Sequence, residues 1–214
     1  VKTDRWRDRY RKDCGIVVPQ FFCVSDIEKE QIMSDFRIKT YVLGGVSTNC
    51  YLVFREGEKT AVIIDPADNA DYLKNKCREF GVKPEAVLLT HAHFDHMLAA
   101  DDIRKAYGCK VYVHMDDERM LNDPFLNLSG TMGTEQTGIS ADHLLRDGDV
   151  LHFLNREWKV MVTPGHTAGS VCYYLPEEKV LFSGDTLFAE SLGRTDLPTG
   201  SMSAIVHSIA EKLL

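Results

Sequence analysis

No apolar run in this chain approaches the ~18 residues that a membrane-spanning helix needs, and the first residues lack the apolar stretch of a secretory signal. The reading that follows is a cytoplasmic protein with no membrane partner. A basic excess is missing too: 25 Lys and Arg stand against 32 Asp and Glu, for a net charge of -7. That sign argues against nucleic acid as a partner and leaves a small-molecule substrate as the expectation. The six cysteines, at 14, 23, 50, 77, 109 and 172, form no C-x-x-C pair and no zinc-finger spacing. They read as reduced thiols, with Cys50, Cys109 and Cys172 in or beside strand-like runs where cysteine behaves as a small buried hydrophobe.

What is present is an ordinary globular composition, 44% hydrophobic and 27% charged over 214 residues, enough for one domain with a two-layer core. Residues 1–33 differ from the rest. "VKTDRWRDRYRKD" makes a basic N-terminal arm, read as a flexible extension or a non-native leader. From residue 34 the pattern alternates. "RIKTYVL", "NCYLVF", "TAVIIDP" and "EAVLLT" are strand-like, and "ADYLKNKCREFGV" has helical spacing with a stop at Gly81. The spacing predicts one helix from Met97 to Tyr107, a strand at "KVYVH" and a short helix at "DDERMLN". Residues 122–142 show no period and suggest a lid over a site. Four further strands, "DVLHFL", "WKVMVT", "VCYYL" and "KVLFS", precede a last helix near Ser201. The sum is an α/β layered architecture.

Chemistry concentrates in "THAHFDH", which packs His91, His93, Asp95 and His96 into six positions of a chain with eight histidines. His91 and His93 alternate by two and can point the same way, while Asp95 and His96 turn into a helix and can face a second point. Two other phrases, "TPGHTAGS" around His166 and "FSGDTLF" around Asp185, each end a strand and turn at glycine. Imidazole and carboxylate donors suit zinc, iron or manganese, and the absence of cysteine from the cluster points to an open catalytic site. His114, His143, His152 and His207 read as surface or satisfied core residues.

Those three motifs in this order resemble the metallo-β-lactamase superfamily over about Asp35 to Leu214. The resemblance implies an αββα four-layer sandwich with a metal site at one edge of its two sheets. It implies His91, His93 and His166 on one ion, Asp95 and His96 on a second, and Asp185 bridging them, with Zn²⁺ as the expected metal at two per complete chain. It gives Asp65, closing "VIIDP", the task of orienting a ligand imidazole. The family's last histidine, in a "GHG"-like loop, has no match after Asp185, so the domain from 34 to 214 is expected to be C-terminally incomplete. An aspartate at 185, where one antibiotic-hydrolysing branch carries cysteine, argues against lactam hydrolysis. "GRTDLPTG" resembles a segment of short glyoxalase II-like (hydroxyacylglutathione hydrolase-like) enzymes and of persulfide dioxygenases, with Arg194 placed to clamp a substrate carboxylate.

The expectation is a metal-dependent thioester hydrolase. A hydroxide generated by the metals attacks an acyl-thiol, and Asp95 directs it as ligand and hydrogen-bond acceptor. The alternative is a mononuclear iron oxidoreductase of the persulfide dioxygenase kind, built on His91, His166 and Asp185 as a two-histidine, one-carboxylate face.

Overall fold

The computed structural model describes residues 15–17, 35–133 and 139–214. The basic arm falls outside the described residues except for the backbone of β1 (Gly15–Val17).

Eleven strands make two sheets among the described residues. The six-stranded sheet runs β2 (Phe36–Leu43), β3 (Thr48–Arg55), β4 (Thr60–Ile64), β5 (Lys83–Leu88), β6 (Lys110–His114) and β7 (His143–Leu145). Its β2–β3–β4 part is antiparallel, and β4 to β7 are parallel. The five-stranded sheet runs β1, β11 (Val180–Phe182), β10 (Val171–Leu175), β9 (Arg156–Val162) and β8 (Val150–Phe153), antiparallel except for β1 beside β11.

The two-residue period of β3 divides its side chains between two cores. Tyr51 and Val53 meet Val62, Ile64, Trp158, Val160, Tyr173 and Phe182 between the sheets. Cys50, Leu52 and Phe54 point the other way, toward Leu73, Cys77 and Ile103 of the helical layer. With both faces covered, most of β3, β4 and the end of β5 (86–88) need apolar side chains, which is why they read as unbroken runs. Between the sheets the Trp158 indole lies nearly parallel to the Phe182 ring at 5.9 Å. Cys50, Cys77, Cys109 and Cys172 are free and buried, as small hydrophobes.

Helices α1 (Ala70–Phe80) and α3 (Ala100–Tyr107) cover the six-stranded sheet, the first capped by the Asn69 side chain and both ended by a left-handed glycine, Gly81 and Gly108. Short α2 (Phe94–Met97) and α4 (Ser129–Met132) lie between strands. Helix α5 (Met202–Ser208) starts at Ser201, whose hydroxyl accepts from Ala204 N–H, and reaches the loop after β9 through Ser208 Oγ–H donating to Pro164 O at 2.8 Å. This is the expected α/β sandwich of the metallo-β-lactamase kind.

Three local expectations change. The helix expected from Met97 to Tyr107 starts only at Ala100, as α3, and Met97 closes the separate α2, because Ala99 N–H donates to Pro66 O at 3.0 Å instead of continuing the helical ladder. The stretch expected to be a lid is anchored in its first half, and its residues 134–138 lie outside the described residues. Asn127 and Ser129 are fully buried, and the Asn127 carbonyl accepts from Phe94 N–H at 2.9 Å. "DDERMLN" falls within a 3-10 helix, Met115–Asn122, and the three residues of β7 had no sequence period to reveal them. Parallel β4, β5 and β6 all end at the same edge, the usual place for function in such sheets; β4 and β5 are each followed by a polar loop, and β6 by the 3-10 helix.

Candidate metal centre

That edge gathers the predicted ligands from three loops and Asp65, expected to orient one of them, from a fourth. Asp65 follows β4, His91 to His96 follow β5, His166 follows β9 and Asp185 follows β11. His91, His93, His96 and His166 are each at most 3% exposed. His91 meets His93 and His166 edge to face, with ring centres 4.8 and 4.7 Å away, and tilts against His96 at 4.0 Å.

The donor atoms form two groups sharing one corner. One nitrogen from each of His91, His93 and His166 lies within 4.8 Å of the other two, and one nitrogen each from His91 and His96 lies equally close to the other and to a carboxylate oxygen of Asp185. His93 Nδ1 and His166 Nε2 are 2.9 Å apart. His96 Nε2 is 3.5 Å from both Asp95 Oδ2 and Asp185 Oδ1, and His166 Nε2 is 3.5 Å from Asp185 Oδ2. Two donors held ~2.1 Å from one tetrahedral ion sit roughly 3.4 Å from each other, so the 3.5 Å separations suit shared ions, while the 2.9 Å contact of His93 Nδ1 with His166 Nε2 is of hydrogen-bond length. His91 Nε2 and His93 Nε2 are buried with no hydrogen-bond partner. Orphaned buried nitrogens are costly unless something else takes their lone pairs, and a divalent metal fits that need.

Electrostatics divide the histidines. Burial, followed by the neighbouring imidazoles, pushes His93 down to about 2 and His91 well below its ordinary value. Both are neutral and ready to ligate. Burial also opposes charge on His96, but the carboxylates of Asp65, Asp95 and Asp185 outweigh it and raise that imidazole to about 10. In the metal-free chain His96 therefore carries a proton at neutral pH.

Asp65 stands where the resemblance put it. Its left-handed backbone (φ 47°) is a conformation that aspartate tolerates better than most residues. Its carboxylate accepts from Thr90 N–H and Thr90 Oγ–H at 2.7 Å each and from His96 Nδ1–H at 2.9 Å. Thus it holds the β5 loop and aims His96 Nε2 at Asp95 and Asp185. His114, His143, His152 and His207 stay outside both donor groups; His114 caps Asp116 N–H, and His143 stacks on Tyr112.

Arg194 meets the site differently from the clamp that sequence suggested. Its guanidinium pairs with Asp196 at 2.8 Å through both Nε and an outer nitrogen, in the open. Its backbone carbonyl is what touches the centre, accepting from His166 Nδ1–H at 2.8 Å. Gly193 permits that approach, since a Cβ there would lie 1.7 Å from the Asp185 carbonyl oxygen. Sequence reading also missed Thr48, whose hydroxyl donates to Asp95 Oδ2 at 2.5 Å from the start of β3. Only the glycine of "GRTD" offered a signal for these contacts; Thr48 offered none. Beside Asp95, His96 and Asp185 lies a cavity of about 160 Å³ reaching Val46, Tyr51 and Phe188.

Residues 43–214 match the model of the metallo-beta-lactamase superfamily. Bacillus subtilis (strain 168) has a "Probable metallo-hydrolase YqgX" that is 38% identical over 173 residues, 80% of this chain and 81% of that one. The "Hydroxyacylglutathione hydrolase GloC" of Haemophilus influenzae is 31% identical over 172 residues, covering 78% and 79%. Among solved structures, the BLEG-1 B3 metallo-beta-lactamase superposes with a TM-score of 0.79 at 41% identity, over 83% of this chain and 85% of that one. The di-iron-bound form of TTHA1623 does so with a TM-score of 0.72 at 33% identity, over 82% and 85%.

Proposed function

The chain belongs to the metallo-beta-lactamase superfamily, and from that premise we propose that it is a metallo-hydrolase that cleaves thioesters of small acyl groups, with zinc as its metal. The observation that carries the reading is Asp185, whose two oxygens reach separately toward His166 and His96. A carboxylate placed so would bridge two ions, the first on His91, His93 and His166, the second on Asp95 and His96. Divalent metal at these positions supplies Lewis acidity and lowers the pKa of water from 15.7 to about 7.

The chain's own residues do the rest. Thr48 holds the Asp95 carboxylate, leaving its orientation defined at the cavity edge. Asp65 and the Arg194 carbonyl orient His96 and His166 by accepting a hydrogen bond from each Nδ1–H, which leaves each Nε2 toward the centre. Val46 and Phe188 offer apolar surface to an acyl chain, and Asn49 offers an amide to a polar substituent. The Tyr51 hydroxyl on the same cavity is pushed above its ordinary range by burial, so it keeps its proton. Nothing among these cavity residues is a ready acid for a poor leaving group. A thiol with a pKa near 8.5 departs with little protonation, whereas an amine does not.

Support for the acyl-thiol class comes from the 31% identity with the hydroxyacylglutathione hydrolase of Haemophilus influenzae. A second reading, lactam hydrolysis, is favoured by the 41% identity with BLEG-1; aspartate at 185 separates this chain only from the cysteine-bearing branch. The test is thiol release from S-lactoylglutathione and acyl-coenzyme A esters by the zinc-loaded protein, beside a chromogenic cephalosporin and oxygen uptake with glutathione persulfide. The expected result is thiol release, nearly abolished by His93→Ala with an unchanged circular dichroism spectrum. Turnover of the lactam or persulfide alone would overturn the thioester assignment.

A further inference from the structure

Asp117, on the 3-10 helix after β6, is fully buried and lies outside both groups of donor atoms. Its carboxylate accepts three hydrogen bonds. Ala92 N–H donates to Oδ2 at 3.1 Å, Thr167 Oγ–H to Oδ2 at 2.8 Å, and Gly169 N–H to Oδ1 at 2.8 Å. Ala92 sits between His91 and His93, and Thr167 follows His166 in the chain. One side chain therefore grips both segments that present the three-histidine group.

Those segments belong to different sheets, the first following β5 and the second β9. Val171 N–H donating to Thr90 O at 2.8 Å and Tyr173 O–H donating to Leu89 O at 2.7 Å tie the strand ends across the sandwich. Asp117 acts closer to the ligands than either. Its fit is tight: a Cβ on Gly169 would come within 2.6 Å of Asp117 Oδ1, so only glycine lets that backbone close on the carboxylate. The chemistry asks for a carboxylate as well as the shape. Two of the three partners are backbone N–H groups, which only donate, and they meet opposite oxygens. An amide in either orientation would turn its NH₂ against one of them, which leaves a buried donor unpaired.

We propose that Asp117 is a positioning residue that sets the spacing of His91 and His93 against His166, and through it the metal affinity of the three-histidine position. The inference rests on the metal reading of the site given above. It assigns Asp117 to that position alone, since Asp95 and His96 take their support from Thr48 and Asp65.

The experiment is cobalt(II) binding to the full chain and to Asp117→Asn, by chelator competition and by the visible absorption of the bound ion. A second variant, Ile103→Val on the buried face of α3, serves as a control that lowers stability without changing a hydrogen bond of the site. The expected result is about 10–100-fold weaker binding at the three-histidine position in Asp117→Asn, with an altered absorption band. The second position and the Ile103→Val protein should keep wild-type affinity. If Asp117→Asn does not fold, Thr167→Val, which removes one donor and keeps the shape, should weaken the same position several-fold. Wild-type affinity in the folded Asp117→Asn protein, or in Thr167→Val where that variant replaces it, overturns the proposal, as does an equal loss in the Ile103→Val control. Failure of the wild-type chain itself to take up cobalt overturns instead the metal reading on which it stands.

Discussion

Filling the second metal position should release a proton, and Asp65 should decide how much that release matters. His96 is raised to about 10 because the carboxylates of Asp65, Asp95 and Asp185 outweigh its burial, so at pH 7 its protonated form exceeds the neutral one roughly a thousandfold. An ion can take His96 Nε2 only after that proton leaves. Apparent affinity at the second position should therefore rise about tenfold per pH unit from pH 7 to near pH 10, then level off. His91 and His93, held neutral by burial and by each other's company, have no such proton to give. The linkage runs the opposite way for the metal-free fold. A histidine raised above its unfolded value contributes stability that is complete below about pH 6.5 and is lost as pH climbs through about 10.

Asp65→Asn removes the foremost of the raising charges and leaves burial to act on His96. Its pKa should fall, and the pH slope of the second equivalent between 7 and 10 should flatten. Calorimetric titration of the metal-free protein with zinc at pH 7, 8 and 9, in two buffers of different protonation enthalpy, counts the protons. One proton released with the second equivalent in the wild type, and far less in Asp65→Asn, is the expected pair of results. No proton released by the wild type at pH 7, or an unchanged slope in the variant, would refute the electrostatic reasoning.

Gly193→Ala should be as damaging as loss of a ligand's support. Its Cβ would overlap the Asp185 carbonyl and push the Arg194 carbonyl off His166, so zinc affinity should drop about 10–100-fold by chelator competition; wild-type retention would show that the carbonyl contact is dispensable. Arg194→Gln separates the two uses of that residue. The exposed pair with Asp196 adds little to the fold, so the unfolding midpoint should hold while KM rises, and an unchanged KM would remove Arg194 from substrate binding. Trp158→Ala empties the inter-sheet core beside Phe182 and should cost about 3–5 kcal/mol in urea unfolding. A loss below ~1 kcal/mol would mean that the sheets can collapse onto the vacancy.

The candidate donor cluster was legible because its chemistry is crowded into short phrases. Four donors within six residues, and two more at glycine turns after strands, leave few readings other than a metal site. The buried strands were legible for a similar reason, since covering both faces of β3, β4 and the end of β5 (86–88) removes most polar residues from a local window. What escaped was set by contacts across the chain. Helix α3 starts late because Ala99 answers to Pro66, thirty-odd residues earlier, and no helix propensity at Leu98 or Ala99 encodes that choice. Thr48 reaches Asp95 across 47 positions, and Asp117 reaches Thr167 across 50. In sequence Asp117 looked like one more charge on the polar helix "DDERMLN", where Asp116 and Glu118 are in fact exposed. A buried acid among exposed ones carries no local mark, because its burial is decided by where the β9 loop lands. Metal donors can thus be read from residue type and spacing, whereas the groups that hold them at working distance become visible only when the two sheets are brought together. The same division separates the perturbations. Replacing a ligand should remove an ion outright, and replacing Asp65, Asp117 or Gly193 should leave an ion bound with altered affinity or proton count.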